Sequence, residues 1–238
     1  MVADPRWYAG VNAVTLQRQA SKAQLDFVKH LKKVQQEHGF KIIYEVDDVV
    51  FREEIPDYNK FKFAFDTKAV RDNCVGIMDL CDEITLTCDF MRKLFQSKLT
   101  NKKVTVIPNF VPYNWMGYLF DQKTIQRNYD SNKRKPRVLY TGSGAHYDVG
   151  NKNGGKDDFS HVNDIVRKTV DKYQWIFVGA YPPPLTDLVK SGKIEFYQWK
   201  SLLEYPNFIV GLNAQLMVAP LTENNFNNSK SDIKFVEA

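Results

Sequence analysis

Along residues 12–112 the apolar positions alternate between short continuous runs and runs spaced three and four apart. "NAVTLQRQ" (12–19) predicts a first strand. In "SKAQLDFVKHLKKVQQEHGF" (21–40), Leu25, Val28, Leu31 and Val34 share one helical face. Ser21 has the side chain to cap that helix, and Gly39 has the backbone freedom to end it. "KIIYEV" (41–46) is a continuous apolar strand running into Asp47 and Asp48. A helix over 67–81, the strand "EITLTC" (83–88), the helix "DFMRKLFQSKL" and the strand "KVTVIPNFVP" (103–112) complete the series. Strands alternating with helices predict parallel strands joined by helical crossovers.

From about 109 to 136 the period is lost, and "KRKPR" closes the stretch with charge and a proline. This reads as a solvated connection between domains. A second series then begins. "RVLYTG" (137–142), "WIFVGA" (175–180), "KIEFYQW" (193–199) and "AQLMVAP" (214–220) are strands, with helices over 157–172 and "SLLEYPNFIVGL". The last strand is expected to be buried. No repeat recurs at 20–50 residues. The expected fold is α/β: two Rossmann-like domains with parallel sheets, 1–112 and 137–238, joined by a linker at 113–136.

Composition adds limits. The 238 residues are 43% hydrophobic and 26% charged, as in a soluble globular protein, and carry a formal charge of +5. That excess suits an anionic ligand without specifying nucleic acid. Cys74, Cys81 and Cys88 are odd in number and come without a secretory signal, which argues for a reducing compartment; with no Cys-x-x-Cys pair or histidine cluster beside them, they argue against a metal site. "MVADPRWYAGVNAV" lacks the pattern of a signal peptide, and no stretch reaches about 18 apolar residues. The expectation is a cytoplasmic protein without a membrane span.

Sheets of this kind bind ligands beyond the carboxyl ends of their strands. In "YTGSGAHYD" (140–148), Gly142 and Gly144 allow a tight turn and close approach to an anion, and Ser143 offers a hydroxyl. His146 fits either a structural or a catalytic role. "GNKNGGKDD" (150–158) has the glycine and lysine spacing of a P-loop, but Asp157 stands where the magnesium-binding Ser or Thr belongs. It reads as a polar insertion, not an ATPase motif. Asp47 and Asp48 either cap the turn after their strand or face an interdomain cleft where an acceptor lies. As neighbours they lack the Asp-x-Asp spacing of a metal-dependent transferase.

The tail "NNFNNSKSDIKFVEA" (224–238) offers Ser229 or Ser231 as cap of a helix beginning near Asp232. Free N–H groups there, with Lys230 and Lys234 nearby, suit a diphosphate, and Glu237 suits ribose hydroxyls. An ordinary capped helix with solvated Lys and Glu fits the same residues. For base stacking, Tyr181, Tyr197 and Trp199 are available, each equally fitted to packing.

In order, "KVTVIPNFVP", "RVLYTGSGAHYD", "WIFVGA" and "VAPLTENNFNNSKSDIKFVEA" resemble the retaining GT-B glycosyltransferases of the group-1 type, in their phage and bacterial variety. The resemblance implies a hexosyltransferase using a UDP- or GDP-sugar without an obligatory metal. Gly142 and Ser143 would approach the diphosphate, Lys230, Ser231 and Lys234 would bind it, and Glu237 would hold the ribose. His146 and Lys230 would assist leaving-group departure, and Asn109 would match the asparagine at the hinge. The family's Glu-x7-Glu pattern is broken by Ser229, which leaves a non-catalytic nucleotide-sugar-binding or scaffold protein as the alternative. The family's Gly-rich opening strand and the helices after Glu237 are missing, as in a fragment. The acceptor stays open among glycan, lipid, small molecule and, through the basic linker, DNA.

Overall fold

The structure, a computed structural model, describes residues 4–99, 102–110, 135–148 and 157–234. Most of the expected linker, the glycine-rich stretch at 150–156 and Glu237 lie outside the described residues. The chain divides into two compact units. Unit 1 comprises Met1–Asp57, Phe61–Asn109 and Glu223–Ser231; unit 2 comprises Tyr58–Lys60, Phe110–Thr222 and Asp232–Ala238.

Unit 1 is built on four parallel strands, β1 (Ala13–Gln17), β2 (Lys41–Glu45), β3 (Glu83–Leu86) and β4 (Lys103–Val106), side by side in chain order. Leu16, Tyr44, Ile84 and Val104 make one row across them. Helices α1 (Lys22–His38), α2 (Lys68–Leu80) and α3 (Asp89–Lys98) supply the crossovers. The start of α1 is a reciprocal capping box between Ser21 and Gln24. Its end is set by Gly39 in the left-handed region at φ 74°, whose N–H reaches the Gln35 carbonyl. Val28, Leu31, Ile77, Met78, Ile84 and Phe95 are fully buried between helices and sheet. β4 stops at Val106, short of the expected strand to 112, because Pro108 has no N–H to give a ladder.

Unit 2 has a second parallel sheet of β5 (Arg137–Gly142), β6 (Gln174–Gly179), β7 (Ile194–Tyr197) and β8 (Leu216–Met217), in the order β7-β6-β5-β8. Its helices are α4 (Val162–Thr169), α5 (Thr186–Lys190) and α6 (Tyr205–Gly211). Alternate strand residues face opposite sides: Val138, Tyr140, Trp175 and Phe177 pack with Phe159 and Val166, while Leu139, Ile176 and Val178 pack with Leu212. Coverage of both faces explains why β5 and β6 read as unbroken apolar runs.

The expected buried strand 214–220 is corrected. β8 is two residues long, pairs with β5 alone and leaves Leu216 55% exposed, since an edge strand has one neighbour. The expected helices also start late. Asp157–Ser160 form turns before α4, and Pro206 fixes the first turn of α6. No helix among the described residues is long and apolar enough to cross a membrane.

Candidate functional site

In unit 2 the chain lays β6 and β7 on one side of β5, then returns to place β8 on the other. The strand order therefore reverses at β5. In open α/β sheets, connections that leave such a point in opposite directions make the carboxyl ends beside it the recurrent ligand position. Among the described residues, unit 1 runs β1-β2-β3-β4 without a reversal.

Gly142 ends β5 at this point. A Cβ there would overlap the Tyr140 hydroxyl, so the position is closed to larger residues. Ser143 caps the 3-10 turn Gly144–His146, its Oγ accepting from the Ala145 N–H. Lys234 donates from Nζ to the buried Thr141 Oγ1 at 2.9 Å, which brings an ammonium to the end of β5. Of the residues expected at the diphosphate, Gly142, Ser143 and Lys234 thus meet at the β5 end.

His146 is held from beneath. Its Nδ1 lies 2.8 Å from Oδ2 of Asp158, whose side chain is wholly removed from solvent. The other oxygen, Oδ1, accepts from the Tyr58 hydroxyl at 2.8 Å and from the N–H and hydroxyl of Thr222 at 2.8 and 2.9 Å. Burial pushes the Asp158 carboxyl up, but the bond from His146, followed by those from Thr222 and Tyr58, brings it below its ordinary value. Asp157 ties the loop from the other side, accepting from the N–H groups of Asp148 and Phe159. With Nδ1 committed to Asp158, Nε2 is the nitrogen through which His146 can meet a ligand. Asp158, Tyr58 and Thr222 were not among the residues expected from sequence. The pair "DDF" signalled only Asp157, which accepts from the Phe159 N–H two residues on; Asp158, Tyr58 and Thr222 had no local signal.

Lys230, Ser231, Asp47, Asp48 and Asn109 belong to unit 1. Lys230 Nζ lies 2.6 Å from Asp48 Oδ1 and 4.3 Å from the Phe226 ring centroid. Arg18, in the left-handed region at φ 42°, reaches Asp48 at 3.2 Å and Asp47 at 3.6 Å. Asn109 Nδ2 donates to the Ser231 hydroxyl at 2.7 Å. Ser229 closes the one-turn helix α7 (Asn225–Asn228), its hydroxyl donating to the Asn225 carbonyl, so it serves that helix's end. The structure therefore joins Lys230 to Asp48 and Ser231 to Asn109. Arg18, which ties the two carboxylates together, had no sequence signal beyond following a strand.

A scan against models of known protein families finds no match, and neither does a search of curated proteins. Solved structures do match in fold. A crystal structure of a glycosyltransferase from Rickettsia africae ESF-5 superposes with a TM-score of 0.52 at 13% identity, over 90% of this chain and 52% of that one. The fold is GT-B-like. An apo structure of OtsA (TM-score 0.48, 10% identity, 89% of this chain and 53% of that one) is also similar. So is a co-structure of S. aureus MnaA with UDP (0.39, 12%, 87% and 51%). The chain spans about half the length of these solved chains.

Proposed function

We propose that the protein is a glycosyltransferase that moves a hexose from a UDP- or GDP-sugar to an acceptor, with retention and without an obligatory metal. The observation that carries this reading is the strand reversal at β5, where the Gly142–Ser143 turn and the Lys234 ammonium converge. Anionic oxygens there would take hydrogen bonds from Ser143 and from backbone N–H groups of the turn, and charge from Lys234. Such donors stabilise negative charge as it builds on a departing diphosphate, which is the demand of glycosyl transfer from a nucleotide sugar. His146, oriented by Asp158, presents Nε2 as a further donor toward the leaving group.

Lys230 is paired with Asp48 and Lys234 with the Thr141 hydroxyl, and the reading keeps both ammonium groups for the diphosphate's charge. Asp47, Asp48 and Asn109 are assigned to the acceptor, as polar groups beyond the carboxyl ends of β2 and β4. Glu237 keeps its assignment to the ribose. The test is release of nucleoside diphosphate from UDP- and GDP-hexoses, with and without a chelator, followed by the anomeric configuration of any product. No release with either donor overturns the reading, and release abolished by the chelator overturns its metal independence.

A further inference from the structure

Three aromatic residues, Tyr181, Tyr197 and Trp199, lie at or just beyond the ends of β6 and β7, and two are committed elsewhere. Tyr181 packs edge-on against Phe196 at 4.8 Å, while Tyr197 packs edge-on against Phe208 at 5.3 Å and donates its hydroxyl to Glu195. Trp199 differs from both. It is 49% exposed, and its indole N–H has no hydrogen-bond partner among the described residues.

One edge of the indole is nevertheless packed. Gly142 and Gly179 are paired across β5 and β6, and Gly179 sits in the left-handed region at φ 93°. A Cβ on Gly179 would overlap the six-membered ring of Trp199 and come within 2.7 Å of the Gly142 carbonyl oxygen. The indole therefore leans from the end of β7 over the end of β6, about one strand spacing, or 5 Å, from the β5 turn. The loop that carries it is clamped beyond it: Lys200 Nζ lies 5.0 Å from the Phe208 ring, and the Ser201 hydroxyl donates to Glu204 at 2.8 Å. A large aromatic surface already seated against the strand ends and still half open to solvent has less freedom to lose when a flat ligand covers it.

We propose that Trp199 is the stacking platform for the nucleobase of the sugar nucleotide. The inference rests on the donor-site reading of unit 2 and adds the residue that tells a nucleotide from a bare diphosphate. Laid across the strand ends, a nucleoside diphosphate puts its phosphates on the Gly142–Ser143 turn and its base over the indole, which lies above Gly179. Every base has a π-face, so the platform takes uracil or guanine, and base edges are read by other groups.

The experiment is calorimetric titration of the 238-residue chain with UDP, GDP and inorganic pyrophosphate. Trp199→Ala is expected to weaken whichever nucleoside diphosphate binds by about 10- to 100-fold and to leave pyrophosphate within about twofold. Trp199→Phe keeps a π-face and is expected to retain most of the affinity, while nucleotide-induced quenching of tryptophan emission disappears. Should the alanine variant melt early, Trp199→Leu fills the space over Gly179 without a π-face, and the same loss is expected. Unchanged nucleotide affinity in the alanine or leucine variant overturns the role of Trp199 alone, as does a wild-type chain that holds pyrophosphate as tightly as a nucleotide. A wild-type chain that binds none of the three overturns the donor site itself.

Discussion

Asp158 shows how a single side chain can set both the pose of a candidate catalytic group and the acid sensitivity of its unit. Burial raises its pKa, and the bonds from His146, Thr222 and Tyr58 outweigh that, leaving the folded value below the ordinary 3.8. The stabilisation is complete above the ordinary value and is lost as pH falls through the lower, folded one. Replacing Asp158 with Asn is expected to cost about 2 kcal/mol at neutral pH, because the Nδ1 donor of His146 then faces a site that can present an amide N–H. The loss should shrink as pH approaches 3. Thermal melts of both forms between pH 3 and 7 check this, and parallel curves would rule it out. Of the groups that meet near the β5 end, Gly142, Ser143 and His146 were expected from residue type and position after a strand, and Lys234 from the helix expected to begin near Asp232. Asp158 was not, because the carboxylate that matters is separated from His146 by a polar insertion that reads as solvent-exposed.

At the scale of elements, α1 was legible almost to the residue, because its cap, stop and apolar face are all local signals. β5 was equally clear, since a strand covered on both faces must be apolar throughout. The one-turn α7 was not. Four residues, "NFNN", have no period, and what holds them is tertiary: Phe226 is 5% exposed within the unit 1 core, and Asn225 donates to Glu54 at 2.8 Å. Asn224 caps the turn by accepting from the Asn227 N–H. Phe226→Ala is therefore expected to destabilise unit 1 by about 3–5 kcal/mol, the usual cost of emptying a buried aromatic site. Lys230→Met, in the same segment, breaks an ion pair whose partners are 26% and 32% exposed and should cost no more than about 1 kcal/mol. Urea denaturation of the two variants gives the comparison. Equal losses would mean that Lys230 holds the segment as strongly as the buried ring does.

At the scale of the molecule, each sheet has four strands among the described residues; the two differ in order, and the order is what separates the chemistry expected of them. Alternation of strands and helices in the sequence predicts parallel sheets but carries no record of which strand becomes the neighbour of β5. That information lies in the packing of Leu139, Ile176 and Val178 against Leu212, which decides on which side the chain returns. A reversal at β5 and none among the described strands of unit 1 leads to a directional expectation for ligand binding. Saturating UDP or GDP, at about 100 times its dissociation constant, should stabilise unit 2 by about 2.7 kcal/mol. In hydrogen exchange the added protection should concentrate in residues 141–146 and around Lys234, where the turn and the ammonium meet. Lys234→Ala should abolish the protection while leaving the exchange of β1–β4 unchanged, because Lys234 bonds Thr141 and lies outside the core that buries that sheet. Protection that appeared instead along Arg18, Asp47 and Asp48 would assign the nucleotide to unit 1 and show that strand reversal does not select the site in this fold.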